Sequence, residues 1–378
     1  MTEGHPPDFD SRPRGRPAAP TASVAAIVGP VHSLSALVAA RYAAAERPAL
    51  VAQQRRWAQE RPLSGVRVLD ATPVFHNTFA KYLPLLTAGA ELTVSVGGGI
   101  PFDPEALAAL SASGVPIADG EALRGEYDVV CDCAATHTEV VGRRGVVELT
   151  HSGAAAYEQW PLPVVLADGG RVKRIETTLG TGDGFLRALV QLGHPVPPDA
   201  EVLVFGGGKV GCGAGYAAVR AGAAVTFVDP RPGAGAGLGR RLDPDDVAGL
   251  EAAIARAWCV ASATGVAGAL APWSEQLVRS GALLANLGVE DEFGPGVPST
   301  RALHRKVPVN FALPEPTLLR YLDPTFALSN AAVLQLIRGD IAPGLHNPQA
   351  DIEQEILDVV AADGMIAAEL AGLPEELT

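Results

Sequence analysis

A strand that runs directly into a glycine-rich turn and an alanine-rich helix constrains this chain more than any other segment. The strand is predicted over Glu201–Phe205 and the helix over Lys209–Ala221. The residues of the turn that we expect to contact a ligand are Gly206, Gly208, Lys209, Val210 and Gly211. Gly206 permits the tight turn, Gly208 lets a phosphate approach the backbone, and Gly211 lets the helix pack on the strand. Because the helix N-terminus adds N–H donors, the turn predicts a phosphate-binding site.

The next predicted strand, Ala224–Val228, runs into an acidic residue, Asp229, which stands 23 residues after Gly206. A carboxylate at this point accepts a hydrogen bond from the 2′-hydroxyl of an adenine ribose, whereas a 2′-phosphate would meet a like charge. The pattern therefore predicts NAD as the cofactor in preference to NADP. Arg231 follows closely and could weaken that preference.

Strands and helices alternate on both sides of this motif. Before residue 192 the predicted elements are strand Val66–Asp70, helix Thr78–Ala88, strand Glu91–Val96, helix Pro104–Ser113, and strands Asp128–Cys131 and Val164–Ala167. After Asp229 they are helix Pro244–Arg256, strand Trp258–Ser262, helix Trp273–Ser280, strand Ala282–Asn286, and helices Thr325–Arg338 and Asp351–Leu370. This alternation predicts an α/β fold: a Rossmann-type, doubly wound parallel domain that binds NAD, and a second α/β domain for the substrate.

Composition narrows the class of protein. The chain has 378 residues, of which 48% are hydrophobic, so two packed domains are expected. A net charge of −13 repels phosphate backbones and anionic lipids, which favours a small-molecule substrate over nucleic acid or a membrane. The first 22 residues lack the apolar core of a secretory signal, and we expect a cytoplasmic protein. Cys131 and Cys133 have no second cysteine cluster nearby, so no metal site is expected.

A series of short motifs occurs in a fixed order along the chain. Before the glycine turn they are His76-Asn77-Thr78, G-A-E-L at 89–92, R-G-V-V-E-L-T-H-S-G at 144–153 and D-G-F-L-R-A at 183–188. After it they are Thr264-Gly265, Asn286-Leu287-Gly288 and P-T-F-A-L-S-N at 324–330. In this order the chain resembles the S-adenosylhomocysteine hydrolase family over most of its length.

The resemblance implies a domain plan and a chemistry. Residues 26–192 and 323–372 would form the substrate domain, residues 193–322 the NAD-binding domain, and residues 1–25 a disordered tail. Thr264, Gly265, Asn286 and Gly288 would lie beside the cofactor. In that family, tightly held NAD oxidises the 3′-hydroxyl of a nucleoside, the 5′-thiolate is eliminated, water adds, and the ketone is reduced again. A homo-oligomer is also expected, although the family's C-terminal Lys-x-x-x-x-Tyr tail is absent.

The acid–base residues of that family are only partly retained. The candidate catalytic residues are His76, Asp132, Glu148, Lys173, Glu176 and Asp323. Leu149 replaces the second glutamate of the family's E-E-T-T-T motif, and Val289 replaces a histidine. Because valine and leucine cannot transfer protons, we expect a diverged NAD-dependent redox enzyme that oxidises or reduces a hydroxyl or ketone of a nucleoside-like or specialised-metabolite substrate.

Three other functions stay open at this point. The chain could be a non-catalytic NAD- or nucleoside-binding protein, or a true adenosylhomocysteinase-type hydrolase of one-carbon metabolism. It could also be a 2-hydroxy- or amino-acid dehydrogenase that shares only the Rossmann half.

Several single residues also have two interpretations. Asp70 could orient His76 or cap a helix, and Asp323 could act in catalysis or cap its own helix with Pro324 at the first position. Residues 181–184, Thr-Gly-Asp-Gly, are a flexible hinge or an ordinary turn. Residues 290–292 are expected to form a solvated acidic loop.

Overall fold

The computed structural model describes residues 24–371, apart from residues 121, 122, 124 and 340. Most of the predicted tail over residues 1–25 therefore lies outside the described residues. Within the described part, no helix combines the length and the apolar character that a membrane crossing requires.

Among the described residues, twelve strands form two sheets in which every pair of neighbouring strands is parallel. The strands of the first sheet are β1 Arg67–Asp70, β2 Glu91–Ser95, β3 Ile117–Ala118, β4 Tyr127–Asp132, β5 Gly142–Glu148, β6 Pro163–Leu166 and, from the C-terminal segment, β12 Gly344–His346. Those of the second sheet are β7 Glu201–Phe205, β8 Ala224–Val228, β9 Arg240–Leu242, β10 Cys259–Ser262 and β11 Leu283–Asn286.

Helices pack on both faces of the second sheet, whereas those of the first sheet pack mainly on one face. The helices before β7 are α1 Val24–Arg41, α2 Pro48–Glu60, α3 Phe79–Thr87, α4 Pro104–Ala112, α5 His151–Ala154, α6 Val172–Arg174 and α7 Thr181–Gln191, with a π-helical segment, Ile175–Gly180, between the last two. The later helices are α8 Lys209–Arg220, α9 Val247–Arg256, α10 Ser274–Arg279, α11 Leu319–Arg338, α12 Ala350–Asp363 and α13 Ala367–Ala371. The predicted α/β fold class is confirmed.

Five neighbouring strands of the first sheet, β5-β4-β1-β2-β3, follow the same order as the five strands of the second sheet. The first runs β12-β6-β5-β4-β1-β2-β3 and the second β11-β10-β7-β8-β9, so in each sheet the order along the chain reverses beside the first strand. In doubly wound sheets, ligands bind in the crevice that opens at the carboxyl ends of the strands where this reversal occurs. Those crevices lie between β1 and β4 and between β7 and β10.

The strands of both sheets carry buried apolar side chains on both faces, as is typical of parallel sheets. Val202 and Val204 pack on the face that also carries α7 and α8, whereas Leu203 and Phe205 pack on the opposite face. The first sheet divides in the same way, since Val68 and Leu69 belong to different clusters. Strands that are apolar on both faces need other parts of the chain to cover both sides of the sheet.

The C-terminal segment returns to the first sheet. Helix α11 packs against β5, α2 and the π-helical segment, and β12 pairs with β6. The predicted helix Thr325–Arg338 begins earlier, at Leu319, so that Pro324 lies inside it. The predicted helix Asp351–Leu370 is interrupted at Gly364, where α12 ends.

The prediction of an ordinary turn at residues 181–184 is wrong, while the alternative of a hinge for domain closure stays a prediction. These residues form the first turn of α7, and their glycines serve close packing. A Cβ at Gly182 would lie 2.4 Å from the carbonyl oxygen of Gly213 on α8, and one at Gly184 would lie 2.6 Å from that of Pro316. The glycines therefore bring backbones together at the point where the chain passes between the two sheets.

Candidate functional site

The glycine turn lies at the carboxyl end of β7. Gly206 has φ +92°, which favours glycine, and its N–H donates to the carbonyl oxygen of Val228 at 2.9 Å. A Cβ at Gly211 would lie 1.9 Å from the carbonyl oxygen of Gly206, so helix α8 touches the strand end directly. A Cβ at Gly208 would meet nothing within 4 Å, so the turn opens outward at this residue.

The first turn of α8 has no side-chain cap. Its N-cap residue is Gly208, which carries no side-chain acceptor, and no side chain of the described residues caps this turn. The amides of Lys209, Val210 and Gly211 are the first three of the helix, and such amides have no acceptor within their own helix. They stand where the positive end of the helix dipole favours an anion, so the turn fits a phosphate or pyrophosphate group.

Asp229 is engaged by protein donors on both oxygens. Its Oδ2 accepts from the Gly207 N–H at 2.7 Å and from Arg231 Nη2 at 2.9 Å. Its Oδ1 accepts from the Arg231 N–H at 2.9 Å and from Arg231 Nε at 3.0 Å. The pKa of Asp229 is lowered to about 2, chiefly because of the hydrogen bond from the Arg231 side chain. The ribose hydroxyl predicted to donate to Asp229 therefore finds no free acceptor position, because a carboxylate offers about four.

The turn after β10, at Thr264 and Gly265, is held by a buried carboxylate. Glu292 Oε2 accepts from the Thr264 N–H at 2.8 Å and from Thr264 Oγ1 at 2.9 Å, while Oε1 accepts from the Gly265 N–H at 2.8 Å. Glu292 is fully buried, so the expectation of a solvated acidic loop is wrong for this residue. Gly288 makes room for it, since a Cβ there would lie 2.0 Å from Glu292 Oε1.

Asn286, at the end of β11, is satisfied within the protein. Its two Nδ2 hydrogens are shared among the carbonyl oxygens of Gly288, Glu290 and Lys306, which lie 3.0, 2.8 and 2.7 Å from Nδ2, and its Oδ1 accepts from Ser262 Oγ at 2.9 Å. The side chain fixes the loop after β11. Of the predicted cofactor residues beyond the glycine turn, Thr264, Gly265, Asn286 and Gly288 thus form one rigid edge next to it.

Asp132 holds the loop that follows β4. It is buried and accepts from the amides of Cys133 and His137, from Thr136 Oγ1 and from the Tyr157 hydroxyl. Four donors occupy both of its oxygens. Neither carboxylate oxygen of Asp132 is therefore left free for its predicted catalytic role in this structure.

Glu148, at the end of β5, is bonded in the same way. Its carboxylate accepts from the amides of Ala134 and Ala135 at 3.0 and 3.1 Å, and from the amide and hydroxyl of Thr150 at 2.9 and 2.7 Å. Burial raises the pKa of Glu148. Ala134 and Ala135 have φ values of +57° and +53°, a strained conformation that this carboxylate stabilises. Glu148 therefore shapes a loop, as Glu292 does in the second sheet, with three of its four donors on Oε1 and one on Oε2.

Asp323 lies inside α11. It is fully buried, and its oxygens accept from the amides of Ala49 and Leu50 at 3.0 and 2.9 Å, the second and third residues of α2. It therefore caps α2 and not its own helix, and its catalytic role stays a prediction. Burial, opposed by the two amides, raises the pKa of Asp323 to about 7.

This shift predicts a specific dependence of stability on pH. Because the folded pKa of Asp323 lies above the unfolded value near 4, the folded state holds its proton more tightly, and stability falls as pH rises from about 4 to about 7. The contribution reaches about 4 kcal/mol at most. In urea unfolding, Asp323→Asn should remove this slope relative to the unsubstituted protein. Parallel pH profiles for the two proteins would contradict the assignment.

Three predicted catalytic residues remain accessible or incompletely bonded. His76 follows β1 and is partly exposed; its ring packs on Phe79 at 5.5 Å between centroids, and burial lowers its pKa. Lys173 Nζ donates to Glu176 Oε1 at 2.8 Å, while Glu176 Oε2 has no hydrogen-bond partner within the described part of the chain. Burial opposes the charge on Lys173, but Glu176 and then Asp168 outweigh it and raise the pKa of Lys173.

An ion pair that the sequence analysis missed joins the two sheets. Lys209, the first residue of α8, donates to Asp168 Oδ2 at 2.9 Å and to the carbonyl oxygen of Asp168 at 3.2 Å. Asp168 follows β6 of the first sheet, and its carboxylate also acts on Lys173. The signal in the sequence was an acidic residue directly after a predicted strand. The glycine turn and the Lys173–Glu176 pair therefore face one cleft.

Asp70 does not orient His76. It forms a fully buried ion pair with Lys81, whose Nζ also donates to Thr72 Oγ1 at 3.0 Å. Both side chains are completely buried. The pair is part of the core beneath the cleft.

No family model and no curated protein matches this chain. Among solved structures, it is similar to a transhydrogenase from Sinorhizobium meliloti, with 17% identity and a TM-score of 0.42 over 71% of this chain and 95% of that one. It is also similar to an L-alanine dehydrogenase, with 15% identity and a TM-score of 0.41 over 77% of this chain and 99% of that one. These similarities are too weak to assign a function.

Proposed function

We propose that this protein is an oxidoreductase that uses a nicotinamide adenine dinucleotide to oxidise a hydroxyl, or reduce a ketone, of a small molecule held between the two sheets. The observation that carries the proposal is the uncapped first turn of α8. Its amides stand at the strand-order reversal of a doubly wound sheet, beside a glycine, Gly208, that opens outward.

The described residues fit such a cofactor. The amides of Lys209, Val210 and Gly211 would hold the pyrophosphate, while the Lys209 side chain pairs with Asp168 across the cleft. The turn at Thr264 and Gly265, which Glu292 holds in place, would lie along the dinucleotide at the carboxyl end of β10. When bound, the nicotinamide ring supplies hydride acceptance or donation.

His76 is the residue that we assign to proton transfer. Burial lowers its pKa, so the imidazole is neutral near pH 7 and able to accept the proton that a hydroxyl loses on oxidation. Lys173 keeps its charge beside Glu176 and would stabilise negative charge that develops on the substrate oxygen.

The scaffold that we propose is that of the S-adenosylhomocysteine hydrolase family, without its hydrolysis. Elimination and hydration need several proton-transfer groups, whereas hydride transfer needs one. Asp132, Glu148 and Asp323 are bonded to protein donors and leave His76 as the main candidate. The same observation favours a second function, a dinucleotide-binding protein without turnover.

The test combines binding with turnover of the full chain. We expect calorimetry to show saturable dinucleotide binding, and absorbance at about 340 nm to report cofactor reduction with some member of a panel of nucleosides and other secondary alcohols. His76→Gln should lower the rate by about 100-fold or more while binding is unchanged, and the control His346→Gln, at a partly exposed histidine of β12, should change neither.

Each other outcome decides against part of the proposal. Binding without turnover on any alcohol or ketone would support the non-catalytic function. Release of adenosine from adenosylhomocysteine at about one turnover per second or faster would show that hydrolysis has been retained. Absence of dinucleotide binding would reject the proposed function as a whole.

A further inference from the structure

The end of β8, where a dinucleotide places its adenine ribose, presents an arginine in front of the expected carboxylate. The four hydrogen bonds to Asp229 come from the Gly207 amide and from the backbone and side chain of Arg231. Since a carboxylate has about four acceptor positions, a ribose 2′-hydroxyl would have to displace one of these donors. Asp229 is therefore occupied in holding Arg231.

Arg231 itself retains donors that face solvent. Its side chain is 65% exposed, and only Nε and one N–H of Nη2 are used on Asp229. A guanidinium carries five N–H donors in a planar fork, so three remain available. The same fork binds phosphate oxygens in pairs, which makes arginine the usual side chain for phosphate recognition.

A second arginine stands beside it. Arg241, on β9, donates from Nη1 to the carbonyl oxygen of Asp229 at 2.6 Å and forms an ion pair with Asp243 at 3.3 Å. Because β9 pairs with β8, Arg241 is fixed against the strand end that precedes Arg231. Asp229 and Asp243 balance the charges of these two arginines, so the ribose position carries no net negative charge in a chain whose overall charge is −13.

Resting on the proposed function, we infer that this position binds the 2′-phosphate of the cofactor, so that the protein prefers NADP(H) to NAD(H). The expectation of NAD rested on a like charge repelling the 2′-phosphate. In the structure that charge is already paired, and the exposed group is a guanidinium. Asp229 thus acts as a positioning residue that orients Arg231 toward the ligand.

The experiment measures the affinity of the full chain for NADP⁺, NAD⁺, 2′,5′-ADP and 5′-ADP by titration calorimetry. We expect NADP⁺ to bind about 10-fold or more tightly than NAD⁺, and 2′,5′-ADP to exceed 5′-ADP by a similar ratio. Arg231→Ala should reduce NADP⁺ affinity by about 10- to 100-fold and leave NAD⁺ affinity nearly unchanged, with Arg231→Lys between the two.

A matched control separates a local effect from a general loss of charge. Arg256 is also exposed and also paired, with Glu201 at 3.3 Å, but it lies at the amino end of the sheet. Arg256→Ala should leave all four affinities unchanged. Raising the salt concentration should weaken NADP⁺ more than NAD⁺, because the 2′-phosphate adds charge to the contact.

The two failures are distinguishable. If NAD⁺ binds as tightly as NADP⁺ or more tightly, or if Arg231→Ala weakens both equally, the inference about the 2′-phosphate is wrong while the proposed function stands. If neither dinucleotide gives a saturable isotherm, the proposed function fails first.

Discussion

Gly211→Ala is expected to reduce dinucleotide binding by about 100-fold or more. The added Cβ would lie 1.9 Å from the carbonyl oxygen of Gly206 and 3.3 Å from Val204 Cγ1. Both neighbours belong to the buried end of β7 and cannot move aside, so α8 must shift away from the strand. Its first-turn amides would move with it, and an error of about 1 Å in such a group is costly. Calorimetry with NAD⁺ and NADP⁺ measures the loss.

The overpacking should also lower the free energy of unfolding by about 1–3 kcal/mol. Gly281→Ala is the matched control, since Gly281 precedes β11 with no atom within 4 Å of a built Cβ and no positive φ. The control should change neither binding nor stability by a measurable amount. Retention of full affinity by Gly211→Ala would show that the contact between α8 and β7 does not set the position of the amides.

Lys81→Met should destabilise the protein by about 3–5 kcal/mol, the largest effect on stability that we predict. Lys81 and Asp70 are both completely buried and paired, and Thr72 Oγ1 accepts a further bond from Lys81. Removal of the ammonium leaves the carboxylate in the core without its cationic partner, although the Thr72 amide still donates to it at 2.9 Å. Urea unfolding at neutral pH measures the change.

Two further variants test the reason for this loss. Asp70→Asn combined with Lys81→Met should recover part of the stability, because no unpaired charge remains in the core. Arg279→Met breaks an exposed pair with Glu275 on α10 and should cost less than about 1 kcal/mol. Equal losses for Lys81→Met and Arg279→Met would contradict a buried, unsolvated pair.

The second sheet was predictable because its signals are local. Glu201–Phe205 and Ala224–Val228 were placed with the bounds that the structure has. A strand, a glycine turn and a helix are specified by neighbours in sequence, and the short connections leave little freedom in their order.

The roles of the carboxylates were not predictable from sequence. An acidic residue at a strand end has the same pattern whether it meets a ligand or a backbone amide. Asp323 caps a helix whose amides stand 274 and 273 positions away, and Glu292 binds amides 28 and 27 positions away. Only the fold brings these donors to the carboxylates. The structure was therefore needed to distinguish carboxylates that bind backbone amides from His76, the candidate for proton transfer.

The glycines at residues 182 and 184 show the same limit. Glycine permits both a flexible turn and close packing, and the sequence does not distinguish the two. A Cβ at Gly182 would contact the backbone of Gly213, which lies on α8 of the second sheet. The ion pair between Lys209 and Asp168 also depends on how the two sheets are placed.

The most direct test of the account is a crystal structure of the full chain soaked with NADP⁺ at saturating concentration. We expect the pyrophosphate within hydrogen-bonding distance of the Lys209, Val210 and Gly211 amides, with the adenine ribose at the end of β8. A structure in which that turn stays empty, together with no heat of NADP⁺ binding in calorimetry at the same concentration, would contradict the proposed dinucleotide site.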